Sequence, residues 1–68
     1  MSTDFDALSS SITQQAQQVS YALKNYSVLS IDYNRERALK MISHLIDIAN
    51  NTRIAIDEDN KHKETSTP

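Results

Sequence analysis

Glycine is absent from all 68 residues of this chain, and its single proline is the last residue, Pro68. Tight β-hairpins and the loops that hold nucleotide phosphates depend on glycine, because their turns need positive φ angles or a close backbone approach. All-β folds and phosphate-binding loops therefore lose support. A few helices joined by a loop without glycine fit this composition better.

The first segment repeats its apolar residues with the period of an α-helix. Successive spacings of three or four residues place these positions within an arc of roughly 80° on one side of a helix. They are Phe5, Leu8, Ile12, Ala16, Val19, Leu23 and Tyr26, and adding Ala22 and the polar Gln15 widens the arc only to about 120°. Thr3 followed by Asp6 resembles a capping box, so we predict a first helix over about residues 4–26 with one narrow apolar face.

Residues 27–32 read Ser-Val-Leu-Ser-Ile-Asp and interrupt this period. Serine and aspartate side chains compete for backbone hydrogen bonds, which favours a break in the helix. Ser30 or Asp32 could cap a second helix, and Asp32 is the better choice because its carboxylate complements the positive end of the helix. We predict a loop here, and one continuous bent helix is the alternative.

The second segment, about residues 33–57, is apolar around much more of its circumference. Its apolar positions span roughly 200° of a helix, so this helix has enough apolar surface for two neighbours where the first has enough for one. They are Ala38, Leu39, Met41, Ile42, Leu45, Ile46, Ile48, Ala49, Ala55 and Ile56. Residues 58–68 contain no apolar side chain, and we expect them to form a disordered polar tail.

These segments predict an all-α fold, a two-helix antiparallel hairpin. A chain of this length has a small core, and without cysteine it has neither disulfides nor thiolate metal ligands to reinforce that core. Two hairpins packed into four helices would bury more apolar surface than one. We therefore expect the hairpin to complete a four-helix bundle, either as a homodimer or with another helical protein.

The surplus apolar surface of the second helix is the predicted interaction site. We assign to it Met41, Leu45, Ile48 and Ala55, which would dimerise or hold a helix of another protein. Tyr21 points away from the apolar face of the first helix, and its rigid ring suits an external contact. The leading hypothesis is a small non-catalytic protein–protein interaction module of the adaptor, inhibitor or co-chaperone type.

Arg35, Arg37 and Lys40 concentrate positive charge near the start of the second helix. In a dimer they could align into a basic stripe, so the alternative hypothesis is a dimeric regulator that binds nucleic acid. The net charge of −2 and the position of Glu36 within this cluster disfavour that reading, because bulk nucleic-acid binding depends on clustered cations.

His44 and Asp47 lie three residues apart and could form a His–carboxylate pair, but a solvated surface histidine is the better explanation of the same residues. We predict no catalytic residue, no cofactor, no metal site and no small-molecule substrate. The longest apolar runs are two or three residues, and Asp4 and Asp6 stand where a signal peptide would need other residue types. We expect a cytoplasmic protein that does not insert into membranes.

Ile12-Thr13-Gln14-Gln15 in the first helix and Tyr33-Asn34 at the start of the second resemble the small hairpin co-chaperones of type III secretion needles. The glycine-containing loop of those proteins is absent here. The resemblance implies a helical hairpin that acts as a co-chaperone, and it places that role among the hypotheses to be tested.

Overall fold

The chain folds into two α-helices that pack against each other, which confirms the predicted all-α hairpin. The computed structural model describes the backbone of residues 3–66 and the side chains of residues 3–61. Helix α1 spans Phe5–Val28 and helix α2 spans Asp32–Ser66. Because only three residues connect them, α2 returns antiparallel along α1 and the molecule is a rod of 59 × 16 × 14 Å.

Helix α1 begins with a side-chain cap from Asp4. The Oδ1 atom of Asp4 accepts a hydrogen bond from the backbone N–H of Ala7 at 3.0 Å. The sequence predicted a capping box formed by Thr3 and Asp6, and the structure places the cap one residue later. Aspartate is the stronger capping residue, and Asp6 instead lies in the first turn, where its charge complements the helix dipole.

The loop at residues 29–31 contains no glycine, and side-chain hydrogen bonds stabilise it. The hydroxyl of Ser30 donates to the carbonyl of Tyr26 at 2.9 Å. The amide of Asn34 donates to the carbonyl of Leu29 at 2.8 Å and to that of Asn25 at 3.4 Å. These bonds satisfy carbonyls that the end of a helix leaves without partners, so the turn needs no positive φ angle.

Helix α2 starts at Asp32 and is longer than the sequence predicted. The carboxylate of Asp32 lies 3.4 Å from the guanidinium of Arg35 in the same turn. Residues 58–66, expected as part of a disordered tail, continue the helix. Charged residues of this segment are good helix formers, and Glu58 and Lys61 approach to 4.0 Å across one turn. With 35 residues against 24, α2 extends roughly 16 Å beyond the start of α1.

Buried and half-buried side chains form a seam between the helices. In α1 the seam consists of Leu8, Ile12, Gln15, Val19, Ala22 and Tyr26. In α2 it consists of Asn34, Ala38, Met41, Leu45, Ile48, Thr52 and Ala55. Both sets alternate spacings of four and three residues, as in a coiled coil. Among the described residues only Ala22 and Ala38 are fully buried, with 1% and 4% exposure.

The seam of α1 is rotated toward Gln15 and Ala22, the two residues that widen the predicted apolar face. Both occupy the seam, whereas Ala16 and Leu23, predicted to be buried, are exposed. The amide of Gln15 donates to the carbonyl of Met41 at 3.0 Å and lies 3.7 Å from its sulfur. This polar contact across the helices holds Gln15 in the seam and leaves apolar surface on the outside of α1.

Candidate interaction surface

A second apolar repeat follows the seam of α2 at an offset of one residue. We call it the α2 stripe, and it consists of Leu39, Ile42, Ile46, Ala49, Arg53 and Ile56. The spacings again alternate between three and four, and the offset turns the stripe about 100° around the helix from the seam. Ile42 is half-buried and the rest are exposed, with 54% exposure for Leu39, 53% for Ile46 and 53% for Ile56.

The same offset on α1 defines a stripe of mostly small side chains. They are Ser9, Thr13, Ala16, Ser20, Leu23 and Ser27. Ala16 and Leu23 line a groove of about 430 Å³ together with Leu45 of α2. In an antiparallel helix pair, positions with the same offset flank the same side of the seam. Ala16 and Leu23 therefore lie on the same side as the α2 stripe. We call the α2 stripe together with Ala16 and Leu23 the apolar face.

The opposite side of the hairpin is largely polar. Tyr21, predicted as an external contact, is exposed there in a groove of about 350 Å³. That groove is also lined by Gln14, Gln17, Gln18 and Arg37. Outside the apolar face, exposed aliphatic residues are Ile54 and, around the loop, Val28, Leu29 and Ile31. Along the length of the helices the hairpin is thus two-sided, with the apolar face on one side and the polar grooves on the other.

The predicted interface residues Met41, Leu45, Ile48 and Ala55 lie together on one line of α2, but that line is the seam. Each is half-buried within the hairpin, so each has less free surface to offer a partner. The more exposed aliphatic residues lie one position further along, in the α2 stripe. The sequence does contain a signal that distinguishes the seam from the α2 stripe. Within the wide apolar arc, the three-and-four spacing occurs twice, with the second set offset by one residue from the first.

The three cations near the start of α2 do not share one surface. Arg35 lies beside Asp32, with which it forms an ion pair. Arg37 is two residues further on and therefore about 160° away around the helix. It lines the polar groove with Tyr21, and it also lines a neighbouring groove with Lys40 and Glu36. Arg37 and Lys40 therefore share the polar side of the hairpin, whereas Arg35 lies on another side.

Three further observations concern other kinds of site in the described part of the chain. His44 and Asp47 are both exposed. Within the described residues, no three His, Cys, Asp or Glu side chains cluster as metal ligands would. Between residues 3 and 66, neither helix combines the length and the apolar character needed to cross a bilayer.

The fold and its two sides define a class, an all-α hairpin with a coiled-coil-like seam and one exposed apolar face. No protein-family model matches the sequence, and neither a curated protein nor a solved structure matches it significantly. Function is therefore inferred from the geometry and chemistry of this hairpin alone.

Proposed function

We propose that this hairpin is a non-catalytic protein–protein interaction module that binds a helical partner through its apolar face. The observation that carries the proposal is the exposure of Leu39, Ile46 and Ile56 along one line of α2. Single exposed apolar residues are ordinary, whereas a contiguous group of them is typical of an interaction site. An adaptor, an inhibitor and a co-chaperone would all use such a face. The cytoplasmic location expected from the sequence stays a prediction.

The large surface of the monomer supports this proposal. The hairpin exposes 5528 Å² of surface, whereas a compact globular protein of its mass, 7.7 kDa, exposes about 4,300 Å². The excess of about 1,200 Å² belongs to the elongated shape of the hairpin as a whole, and the exposed apolar face is part of that surface.

The spacing of the face favours a helix as the partner. The α2 stripe repeats at three and four residues, so a partner helix with the same repeat can pack along its whole length. On α1, the small side chains Ser20 and Ala16 beside Leu23 allow a second helix to approach closely. A flat or extended ligand would not match both features.

Site-specific photo-cross-linking in the cell of origin tests the proposal. A photoreactive residue is placed at Ile46 on the apolar face, with a matched probe at Ser43, which is exposed on the same helix outside both the seam and the stripe. Covalent protein adducts are expected from position 46 and not from position 43. A probe at Tyr21 tests the predicted contact on the polar side. Equal labelling from positions 46 and 43, or none from position 46, would contradict the proposal.

Nucleic-acid binding stays a prediction from the sequence, because the division of Arg35, Arg37 and Lys40 between two sides adds nothing in its favour. The hypothesis has a direct test. Retention of the chain on nucleic acid at low salt, weakened when Arg37 and Lys40 are changed to glutamine, would support it. The absence of retention at low salt would end it.

A further inference from the structure

We infer that Met41 is an oxidation site built into the seam, and that Gln15 holds the oxygen of its sulfoxide. The side-chain nitrogen of Gln15 lies 3.0 Å from the main-chain carbonyl oxygen of Met41 and 3.7 Å from its Sδ atom. A primary amide has two N–H groups, so one can donate to the carbonyl while the other faces the sulfur. This site is separate from the proposed function, because Met41 lies in the seam and not on the apolar face.

The side chain of Met41 is open to a small oxidant in the folded hairpin. Met41 is half-buried, whereas the seam residues Ala22 and Ala38 are fully buried. It also lines the groove of about 430 Å³ on the polar side, together with Tyr33 and Lys40. A peroxide molecule is small enough to enter a groove of this volume. Oxidation therefore does not require the two helices to separate.

Hydrogen peroxide is the oxidant in this reaction. A lone pair of the Met41 sulfur attacks one peroxide oxygen, so that an S–O bond forms and the O–O bond breaks. The second oxygen takes the proton of the transferred one and leaves as water. The sulfur loses two electrons and the peroxide gains two, which yields methionine sulfoxide. A polar oxygen thus replaces the thioether sulfur, which is only a weak acceptor.

The distance between the Met41 sulfur and the Gln15 nitrogen suits a sulfoxide. For a sulfur–oxygen bond of about 1.5 Å and a hydrogen bond of about 2.9 Å, the observed 3.7 Å gives an angle of about 110° at the oxygen, close to a lone-pair direction. An oxygen at this place accepts the second N–H of Gln15 without movement of either helix. The competing donors are water, Arg37 and Lys40 in the adjoining groove.

Gln15 thereby determines how strongly oxidation destabilises the hairpin. A polar oxygen between two helices is destabilising when no donor replaces the water that it loses. In this seam the Gln15 amide is that donor, so we expect the oxidised hairpin to remain folded. Gln15→Leu would leave the oxygen without it. Because methionine sulfoxide can be reduced enzymatically, the change at Met41 is a reversible one.

Peroxide treatment of the full-length chain tests the inference, with thermal unfolding followed by circular dichroism before and after oxidation. Peptide mass spectrometry should find one added oxygen on Met41 under conditions where the chain is folded. Oxidation should lower the thermal midpoint of Gln15→Leu by about 4–8 °C more than that of the wild type, because a donor is lost. Gln14→Leu is the matched control at an exposed position, and its loss on oxidation should equal that of the wild type.

Two further samples assign the effect to these residues. Met41→Leu should keep its midpoint after peroxide treatment, since Met1 is the only other methionine. In the wild type, the side-chain amide resonances of Gln15 should shift on oxidation more than those of Gln14, a readout that needs no variant. Equal losses in the wild type and Gln15→Leu would show that the oxygen turns into the groove, which overturns the inference. So would oxidation of Met41 only after unfolding. Neither result affects the photo-adducts at position 46, which test the proposed function separately.

Discussion

The side-chain amide of Gln15 donates a hydrogen bond to the main-chain carbonyl of Met41, with 3.0 Å between the nitrogen and the oxygen. The bond links the middle of α1 to α2 across 26 residues of sequence, well away from the loop. Apolar side chains at neighbouring layers can slide past one another at small cost, whereas a directional polar contact specifies one alignment. Gln15 therefore favours one alignment of α1 along α2, in addition to the constraint from the three-residue loop.

Replacing Gln15 by alanine should lower the free energy of unfolding by about 1 kcal/mol, because the hydrogen bond to Met41 and part of the seam packing are lost. The exposed neighbour Gln14 is the control, since Gln14→Ala gains the same helix propensity without touching the seam. Its effect should stay within about 0.5 kcal/mol. Urea unfolding followed by circular dichroism measures both values. Equal stability of the two variants would mean that the bond contributes nothing.

Leu45 and Ile46 are adjacent in sequence but should have different roles. Leu45→Ala removes half-buried seam packing and should destabilise the hairpin itself by about 1–2 kcal/mol, less than the 2–5 kcal/mol typical of a fully buried leucine. Ile46→Ala removes an exposed residue of the α2 stripe. It should leave unfolding at low protein concentration nearly unchanged and weaken association at high concentration. Unfolding curves and sedimentation at two concentrations separate these effects. If Leu45→Ala affected only association and Ile46→Ala affected only stability, Leu45 would belong to the interaction surface and Ile46 to the seam.

The helices themselves could be predicted from apolar periodicity, but the rotation of α1 could not. Leu8, Ile12, Val19 and Tyr26 lie in the seam as the spacing predicted. Gln15 displaced Ala16 from that line because a hydrogen bond to a residue of the other helix, invisible to a one-dimensional pattern, compensates for its polarity. The end of α2 shows a similar limit. Apolar patterning gives no signal in residues 58–66, where helix propensity and the ion pair between Glu58 and Lys61 act instead.

The candidate surface could be predicted only in part. The width of the apolar arc on α2 correctly implied more surface than α1 can cover. Which half of that arc faces α1 depends on how α2 is rotated about its own axis. The burial of Ala38 against α1 shows that rotation, and it is not encoded in the apolar spacing of α2 alone. Sequence reasoning therefore grouped Leu45 and Ile46 in one apolar arc, although in the fold Leu45 lies in the seam and Ile46 lies in the exposed α2 stripe.

The loop should depend on Asn34. Asn34→Ala removes the hydrogen bonds from its amide to the carbonyls of Leu29 and Asn25, so we expect a loss of about 1 kcal/mol. In a domain of this size that loss lowers the thermal midpoint by about 4–8 °C. Asn51→Ala, at an exposed position of the same helix, is the control and should change the midpoint little. A common shift for both variants would show that the loop closes without Asn34.

The start of α1 should depend on the side-chain oxygen of Asp4 more than on its charge. Asp4→Ala leaves the amide of Ala7 without its partner and should destabilise the hairpin by about 1 kcal/mol. Asp4→Asn keeps an oxygen acceptor at the same place and should lose distinctly less. Thermal unfolding of the two variants compares them. If they lose the same amount, the negative charge at the helix start, and not the cap, stabilises this end.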